Sequence, residues 1–254
     1  MANVDVLTYG FALTSDQGAF GYSTNSLLTI GAHTILVDTG PSSRRAWLYR
    51  ALKSKNLTPD DVDIVILTHM HWDHCQNTDL FRNARVLVHP TELDYARNPN
   101  RADFTVARYM ADMIDKMKVE LVSDGDTIVE GVSVIDTPGH TKGHISVLAE
   151  VAGEKILLAG DAMPDSGTVK RGIPYNIFWD VEDARESVEK MLGSSRVFYP
   201  GHDRPFRMVG DDISYLHGPS NIEIFNSNEG GGAASLTYTV TSARSVNIDL
   251  VQKQ

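Results

Sequence analysis

The 254-residue chain has a single cysteine, Cys75, which excludes an internal disulfide and a zinc cluster built from thiolates alone. Basic charge is scarce: 23 Lys and Arg stand against 33 Asp and Glu, a formal charge of -10. That balance argues against nucleic acid, whose binding rests on phosphate neutralisation, and against a basic membrane-surface protein. No apolar run approaches the roughly 20 residues of a spanning helix. The opening MANVDVLTYG has no basic stretch ahead of an apolar one, so no secretory signal is read there. A cytoplasmic protein acting on a small molecule is expected, with no nucleic-acid or membrane partner and a homodimer left open. Repeats, low-complexity tracts and long charge blocks are missing as well. A chain of this length buries roughly 70% of the surface its unfolded form exposes, so no covalent staple is needed. What the sequence does have is nine histidines, several in places where a structural role explains little.

Strand-like and helix-like segments alternate, with Gly and Pro between them. Strands are expected over 4–9, 22–30 and 34–37, the last running into Asp38-Thr39-Gly40. A helix follows Pro41, with Trp47, Leu48, Ala51 and Leu52 as its buried side. Ile64-Val65-Ile66-Leu67 is a wholly apolar run of the kind found in a strand covered on both faces. A helical insert is expected at about 90–118, where Val106, Met110, Met113, Ile114 and Met117 fall at helical spacing. That face is either core packing or an adaptable wall over a substrate. Strands are expected over 119–122, 132–136, 145–151 and 156–159, with a hairpin turn at Ala152-Gly153-Glu154. Asp180 caps a helix that Gly193 ends, and a strand over 197–199 follows. From about 221 to 254 the glycine run 230–232 precedes two strand-like stretches, read as a β appendage on a single domain spanning 1–254.

The segment Thr68-His69-Met70-His71-Trp72-Asp73-His74-Cys75 leaves the buried strand directly. His69 and His71 are two apart and can converge on one ion, while Asp73 and His74 can turn toward a second. Neutral imidazole nitrogen and carboxylate oxygen are both metal donors, and both are present without a thiolate set. Three later positions repeat the design at strand exits: His140 in Pro138-Gly139-His140, Asp161 in Gly160-Asp161, and His202 in Pro200-Gly201-His202. A glycine precedes each, permitting the backbone to turn sharply. His33 and His217 read as surface or turn residues, His89 as structural, and Cys75 as a packed thiol.

This ordered set resembles the metallo-β-lactamase-fold hydrolases over about residues 20–210, and Leu36-Val37-Asp38-Thr39-Gly40 matches that family's early motif. The resemblance implies an α/β fold, an αββα sandwich of two mixed sheets with helices outside and a metal site at one edge. It implies that His69, His71 and His140 hold one divalent ion, that Asp73, His74 and His202 hold another, and that Asp161 bridges them. Zinc is the expected metal, with manganese, cobalt and iron(II) as alternatives. By the same resemblance Asp38 orients a ligand histidine, His144 lies outside the ligand set, and Asp73 accepts a proton.

A hydroxide shared by two such ions has its pKa lowered toward about 7, which supplies a nucleophile at neutral pH. Within the family the pattern is most similar to N-acyl homoserine lactonases and related lactone or ester hydrolases. The tyrosine that those lactonases carry shortly after the bridging Asp is missing from Asp161-Ala162-Met163-Pro164, and Tyr175 is the candidate replacement. Phe20, Tyr22, Trp72, Met110 and Trp179, with Phe11, Phe104 and Phe178, are candidates to line an apolar pocket. A thioester, β-lactam or phosphodiester hydrolase is the alternative, and an iron-dependent redox enzyme of the same fold a further one.

Overall fold

The computed structural model describes residues 2–15 and 18–219, and the appendage expected at about 221–254 lies outside them. The chain opens with β1 (Asn3–Thr8) and a small hairpin of β2 (Thr14–Ser15) and β3 (Gly18–Ala19). A six-stranded sheet then orders β1, β4 (Asn25–Ile30), β5 (His33–Val37), β6 (Ile64–Ile66), β7 (Arg85–Val88) and β8 (Lys118–Leu121). β1, β4 and β5 pair antiparallel, and β5 through β8 run parallel. The second sheet orders β9 (Thr127–Val129), β10 (Val132–Asp136), β11 (Ile145–Val151), β12 (Glu154–Gly160), β13 (Val197–Pro200), β14 (Phe206–Val209) and β15 (Asp212–Tyr215), neighbours in that sequence. Only β12 and β13 are parallel within it.

Alternation along the strands builds the layers. Ile35, Val37, Ile64, Ile66 and Leu87 of the first sheet meet Val134, Val147, Ile156, Leu158 and Val197 of the second. The side chains between them point the other way. Leu36, Val65 and Val86 pack with Leu48 and Leu52 of α1 (Arg45–Ser54), while Leu157 and Phe198 pack with Val188 and Met191 of the helix over 181–194. β6 is apolar throughout because both of its faces are covered. The result is the expected αββα sandwich, two mixed sheets with helices on their outer faces.

Trp47 departs from its expected place. Leu48 and Leu52, four apart, carry the buried stripe of α1, which leaves Trp47 54% exposed. After α2 (Trp72–Cys75), the stretch expected as a helical insert holds two short helices, α3 (Pro90–Arg97) and α4 (Tyr109–Ile114). Val106 precedes α4 and pairs with His71 as an isolated bridge. Met110 is buried with Met70, Leu93 and Ile114 under the first sheet, where it packs the core. Two helices accompany the second sheet: α5 (Gly167–Arg171) and α6 (Val181–Ser194). Asp180 caps α6 by accepting from the N–H groups of Glu182 and Asp183. Gly193 does not end it: the helix runs to Ser194, and Ser195 takes the extended conformation at its close. The turn between β11 and β12 falls where expected, with Ala152 and Gly153 both at positive φ (53° and 81°).

Candidate metal centre

Four strand exits supply the seven expected ligands. After β6, His71 is the N-cap residue of α2, and Asp73 and His74 lie in that single turn. His140, Asp161 and His202 follow β10, β12 and β13. The first four come from one sheet and the last three from the other. The sheets are tied where they meet, since Ile145 donates its N–H to the carbonyl of Thr68 at 2.9 Å.

Among the described residues three overlapping groups have ligand atoms within 4.8 Å of one another: His69, His71 and His140; His69, His74 and Asp161; and Asp73, His74 and His202. Asp161 lies between them. Its Oδ1 is 3.3 Å from His74 Nε2, and its Oδ2 is 3.5 Å from His140 Nε2 and 3.1 Å from His202 Nε2. Two glycines are explained by this packing. A Cβ on Gly201 would stand 2.0 Å from Asp161 Oδ1, so the need there is for space and not for a special backbone angle. Gly139 takes φ +123°, and its Cβ would meet the Ala184 backbone at 2.3 Å.

Each of the five histidines has its outward nitrogen hydrogen-bonded to an acceptor. His71 Nε2 donates to Asp103 Oδ2 (3.0 Å), His74 Nδ1 to Asp38 Oδ2 (2.7 Å), and His140 Nδ1 to the Asn176 carbonyl (2.7 Å). His202 Nδ1 donates to the Tyr22 carbonyl at 3.0 Å, and His69 Nδ1 to the Thr68 hydroxyl at 3.1 Å. That hydroxyl passes its own proton to Asp38 Oδ2 at 2.8 Å. These acceptors fix the neutral tautomers, so five ring lone pairs face inward beside Asp73 and Asp161.

That donor set fits divalent cations. His69 Nε2, His74 Nε2 and Asp161 Oδ1 are buried without a hydrogen-bond partner, and all three point into the centre. With both rings neutral and their outer nitrogens satisfied, His71 Nδ1 and His140 Nε2 are facing lone pairs 3.0 Å apart. Buried lone pairs facing one another are unfavourable unless a cation takes them up.

Asp38 holds φ +59°, a backbone conformation uncommon outside glycine. The strain places Oδ1 to accept the Thr68 N–H (2.9 Å) and Oδ2 to accept from His74. Asp103 sits on the loop between α3 and α4, and Tyr95 of α3 donates its hydroxyl to the same Oδ2 at 2.8 Å. Asp38→Asn and Asp103→Asn each replace an acceptor by a group that can present its N–H₂ to the ring, turning His74 or His71. Metal affinity in each variant is expected to fall roughly 10- to 100-fold, measured by competition with a chromogenic chelator.

Charge in the centre is divided. Burial, and then the His74, His71 and His140 rings, hold His69 well below the usual imidazole range. Burial pushes His140 down to about 4. Burial also opposes charge on His74, but Asp161, Asp38 and Asp73 carry it well above that range. His202 is raised against burial by Asp161, and His71 against burial by Asp103. Cations must therefore displace protons from the raised imidazoles. Metal affinity is expected to climb as pH rises through the imidazole range, so chelator competition at about pH 6 strips the protein more readily than at about pH 8. Equal stripping at both would contradict proton competition.

His144 stays out of the ligand set. Its Nδ1 is 2.8 Å from the Thr137 hydroxyl, and its Nε2 accepts the backbone N–H of Asp161 at 3.0 Å, which steadies the loop carrying that carboxylate. Sequence reasoning missed Asp103 and Glu92. Glu92, fully buried in α3, accepts from Met70 N–H (2.9 Å) and Gly143 N–H (3.0 Å), joining the two principal ligand loops. His89 is structural, its Nδ1 accepting the Thr91 N–H at the start of α3.

The candidate substrate residues scatter. Tyr22 packs edge-on against Phe11 (5.3 Å between centroids) and Trp72 (6.4 Å) beside the first motif. Phe20 is 54% exposed at the small hairpin, and Phe104, beside Asp103, is 91% exposed. Phe178 packs on the rings of His71 and His140, at 5.2 and 5.5 Å. Tyr175 is buried with the Arg171 guanidinium 5.8 Å from its ring. Trp179 lines a cavity of about 430 Å³ with Tyr95, Asn98, Asn100 and Lys142, and none of the seven expected ligands lines it.

The sequence profile described as the Metallo-beta-lactamase superfamily matches residues 18–202. A probable metallo-hydrolase of Methanocaldococcus jannaschii is 31% identical over 66% of this chain and 70% of its own length. An N-acyl homoserine lactonase of Bacillus sp. is 27% identical over 60% of each. Among solved structures, a quorum-quenching N-acyl homoserine lactone lactonase aligns with a TM-score of 0.65 at 22% identity, over 80% of this chain and 91% of that one. With its His/Asp centre and its sandwich, this chain belongs to the metallo-β-lactamase superfamily, as a metal-dependent hydrolase.

Proposed function

We propose that the protein opens a small lactone or cleaves a small ester at a dinuclear centre, with zinc as the resident metal. The observation that carries this reading is the ligand set itself: five inward imidazole nitrogens and two aspartates, with no thiolate, arranged around one shared carboxylate. Nitrogen and oxygen donors of this kind suit zinc, with manganese, cobalt or iron(II) as alternatives. His69, His71 and His140 would hold one ion, Asp73, His74 and His202 the other, and Asp161 both. When bound, such ions polarise a carbonyl and bring the pKa of a water down toward about 7.

The chain's own groups do the positioning. Asp161, within 3.5 Å of His140 in one triad and 3.1 Å of His202 in the other, keeps the two at a fixed spacing, steadied by His144 beneath it. Asp73, whose Oδ2 lies 3.5 Å from His202 Nε2, is a carboxylate in position to hold a proton on its way to the leaving oxygen. Phe178, packed on His71 and His140, excludes water from one side of the centre. Tyr22 and Trp72 offer an aromatic wall near the first motif.

Lactones are favoured over other acyl compounds by the lactonases among the similar proteins. The test is zinc-loaded protein assayed against a panel of lactones, esters, thioesters and cephalosporins, with metal content measured alongside. About two zinc per chain and fastest turnover on a lactone or ester are expected. Fastest turnover on a thioester or cephalosporin would replace the substrate class. One iron with sulfur-dependent oxygen uptake would remove the hydrolytic reading.

A further inference from the structure

The flank of the centre around His202 carries two arginines that the hydrolytic reading leaves without a task. Five arginines are half-buried among the described residues: Arg44, Arg45, Arg85, Arg204 and Arg207. Arg45, Arg85 and Arg207 face the carboxylates of Asp79, Glu120 and Glu154. Arg44 and Arg204 form no ion pair among the described residues. Each instead donates one N–H to a backbone carbonyl, Arg44 Nη1 to Tyr9 at 2.9 Å and Arg204 Nη1 to His217 at 3.2 Å. Each also lies over a tyrosine ring, Arg44 at 5.4 Å from the Tyr22 centroid and Arg204 at 3.8 Å from that of Tyr215.

The two arginines are linked. Tyr9 and His217, whose carbonyls they bind, meet through the Tyr9 hydroxyl and His217 Nδ1 at 2.8 Å. They also border the centre. Tyr22, under Arg44, accepts His202 Nδ1–H through its carbonyl at 3.0 Å, and Arg204 follows His202 by two residues. Asp203 between them is engaged locally: Oδ1 accepts the Arg204 backbone N–H (2.7 Å), and Oδ2 accepts from Ser166 N–H (3.2 Å) and the Tyr215 hydroxyl (2.9 Å).

In a chain of net charge -10, carboxylates are plentiful, yet among the described residues these two half-buried cations have none. A guanidinium has five N–H donors in a fork that matches an oxyanion, and each of these spends one on a carbonyl. A bound anion would complement both charges and take up the N–H donors that the carbonyls leave free.

We propose that Arg44 and Arg204 form an anion subsite on the His202 side of the centre, and that the substrate carries an oxyanionic group, carboxylate or phosphate, away from the bond that is cut. The word substrate rests on the hydrolytic reading; the subsite does not. Arg44→Gln and Arg204→Gln keep a donor for the Tyr9 and His217 carbonyls while removing the charge. Zinc-loaded wild type and both variants are assayed on p-nitrophenyl hydrogen glutarate and on the uncharged p-nitrophenyl pentanoate. Wild type is expected to prefer the anionic ester in kcat/KM, and each variant to lose roughly tenfold of that preference. No preference in wild type, or the same preference in all three proteins, overturns the subsite.

Calorimetric titration of glutarate and of inorganic phosphate into the same zinc-loaded proteins supplies the second readout and separates carboxylate from phosphate. Saturable binding in wild type that weakens in both variants at unchanged zinc content supports the subsite. Equal binding in all three overturns it. Arg44→Lys, which retains a charge, is expected to keep a preference for the anion and separates charge from misfolding. If wild type cleaves neither ester, the ester reading fails, and the titrations still decide the subsite.

Discussion

Asp161→Ala is expected to release most of the bound metal and to lower kcat/KM at least a hundredfold. Among the described residues Asp161 is the one carboxylate that approaches ligands of both triads, at 3.5 Å from His140 Nε2 and 3.1 Å from His202 Nε2. It lies well below the usual carboxylate range despite burial, because His202 and His74 favour its charged form. Removing it takes away the negative charge that two cations would share and leaves a gap beside Gly201. Loss of a group that merely orients a ligand costs about 10- to 100-fold in metal affinity, so loss of the shared ligand sets a larger expectation. Metal analysis by atomic emission, with circular dichroism to show retained fold, reads the outcome. A fully active, fully loaded Asp161→Ala protein would mean that the centre lies elsewhere.

Glu92→Ala is expected to be the most damaging change to stability away from the ligands. The carboxylate has no solvent exposure, and burial raises its pKa. It nevertheless accepts from two backbone N–H groups, of Met70 and Gly143, on loops from different sheets. Alanine leaves both donors buried and unpaired, each at about 1–3 kcal/mol, and opens a void between α3 and the ligand loops. A loss of about 3 kcal/mol or more corresponds to a fall in melting temperature of roughly 10 °C for a domain of this size. Gly143 packs directly on the α3 backbone, where a Cβ would stand 2.1 Å from Glu92 N. Thermal unfolding of zinc-free protein isolates the effect from metal loss. A melting temperature within about 2 °C of wild type would show that water replaces the carboxylate.

What could be read in the sequence was what repeats at short range. Ile64–Ile66 announced a strand covered on both faces, and a His or Asp just past each of four strands announced a centre. Helical period misled where one stripe is narrow: Trp47 neighbours Leu48 but turns outward, because Leu48 and Leu52, with Ala51 beside them, carry the face that packs on the core. Val106 shares the spacing of Met110 and Met113 yet pairs with His71 as a bridge, a contact that no local pattern encodes. Glu92 and Asp103 were illegible for the same reason. Each is an ordinary acidic residue in its own segment, and its meaning comes from partners on Met70, Gly143 or His71, brought close only by tertiary packing. Asp38 was the exception, since it sits at the end of a strand in a short motif of its own.

The split of the ligands between two sheets has a consequence for how the protein matures. On a ribosome, the segment with His69, His71, Asp73 and His74 emerges well before His140, Asp161 and His202. Closing a chain loop from His69 to His202 is an entropic step that only the packed sandwich repays. A nascent chain lacking β13 can therefore offer an ion some imidazoles but not the shared carboxylate within its complete cage. Tight metal capture then marks the end of folding, and an ion bound there would stabilise the native state by mass action, acting as a late lock and not as a nucleus.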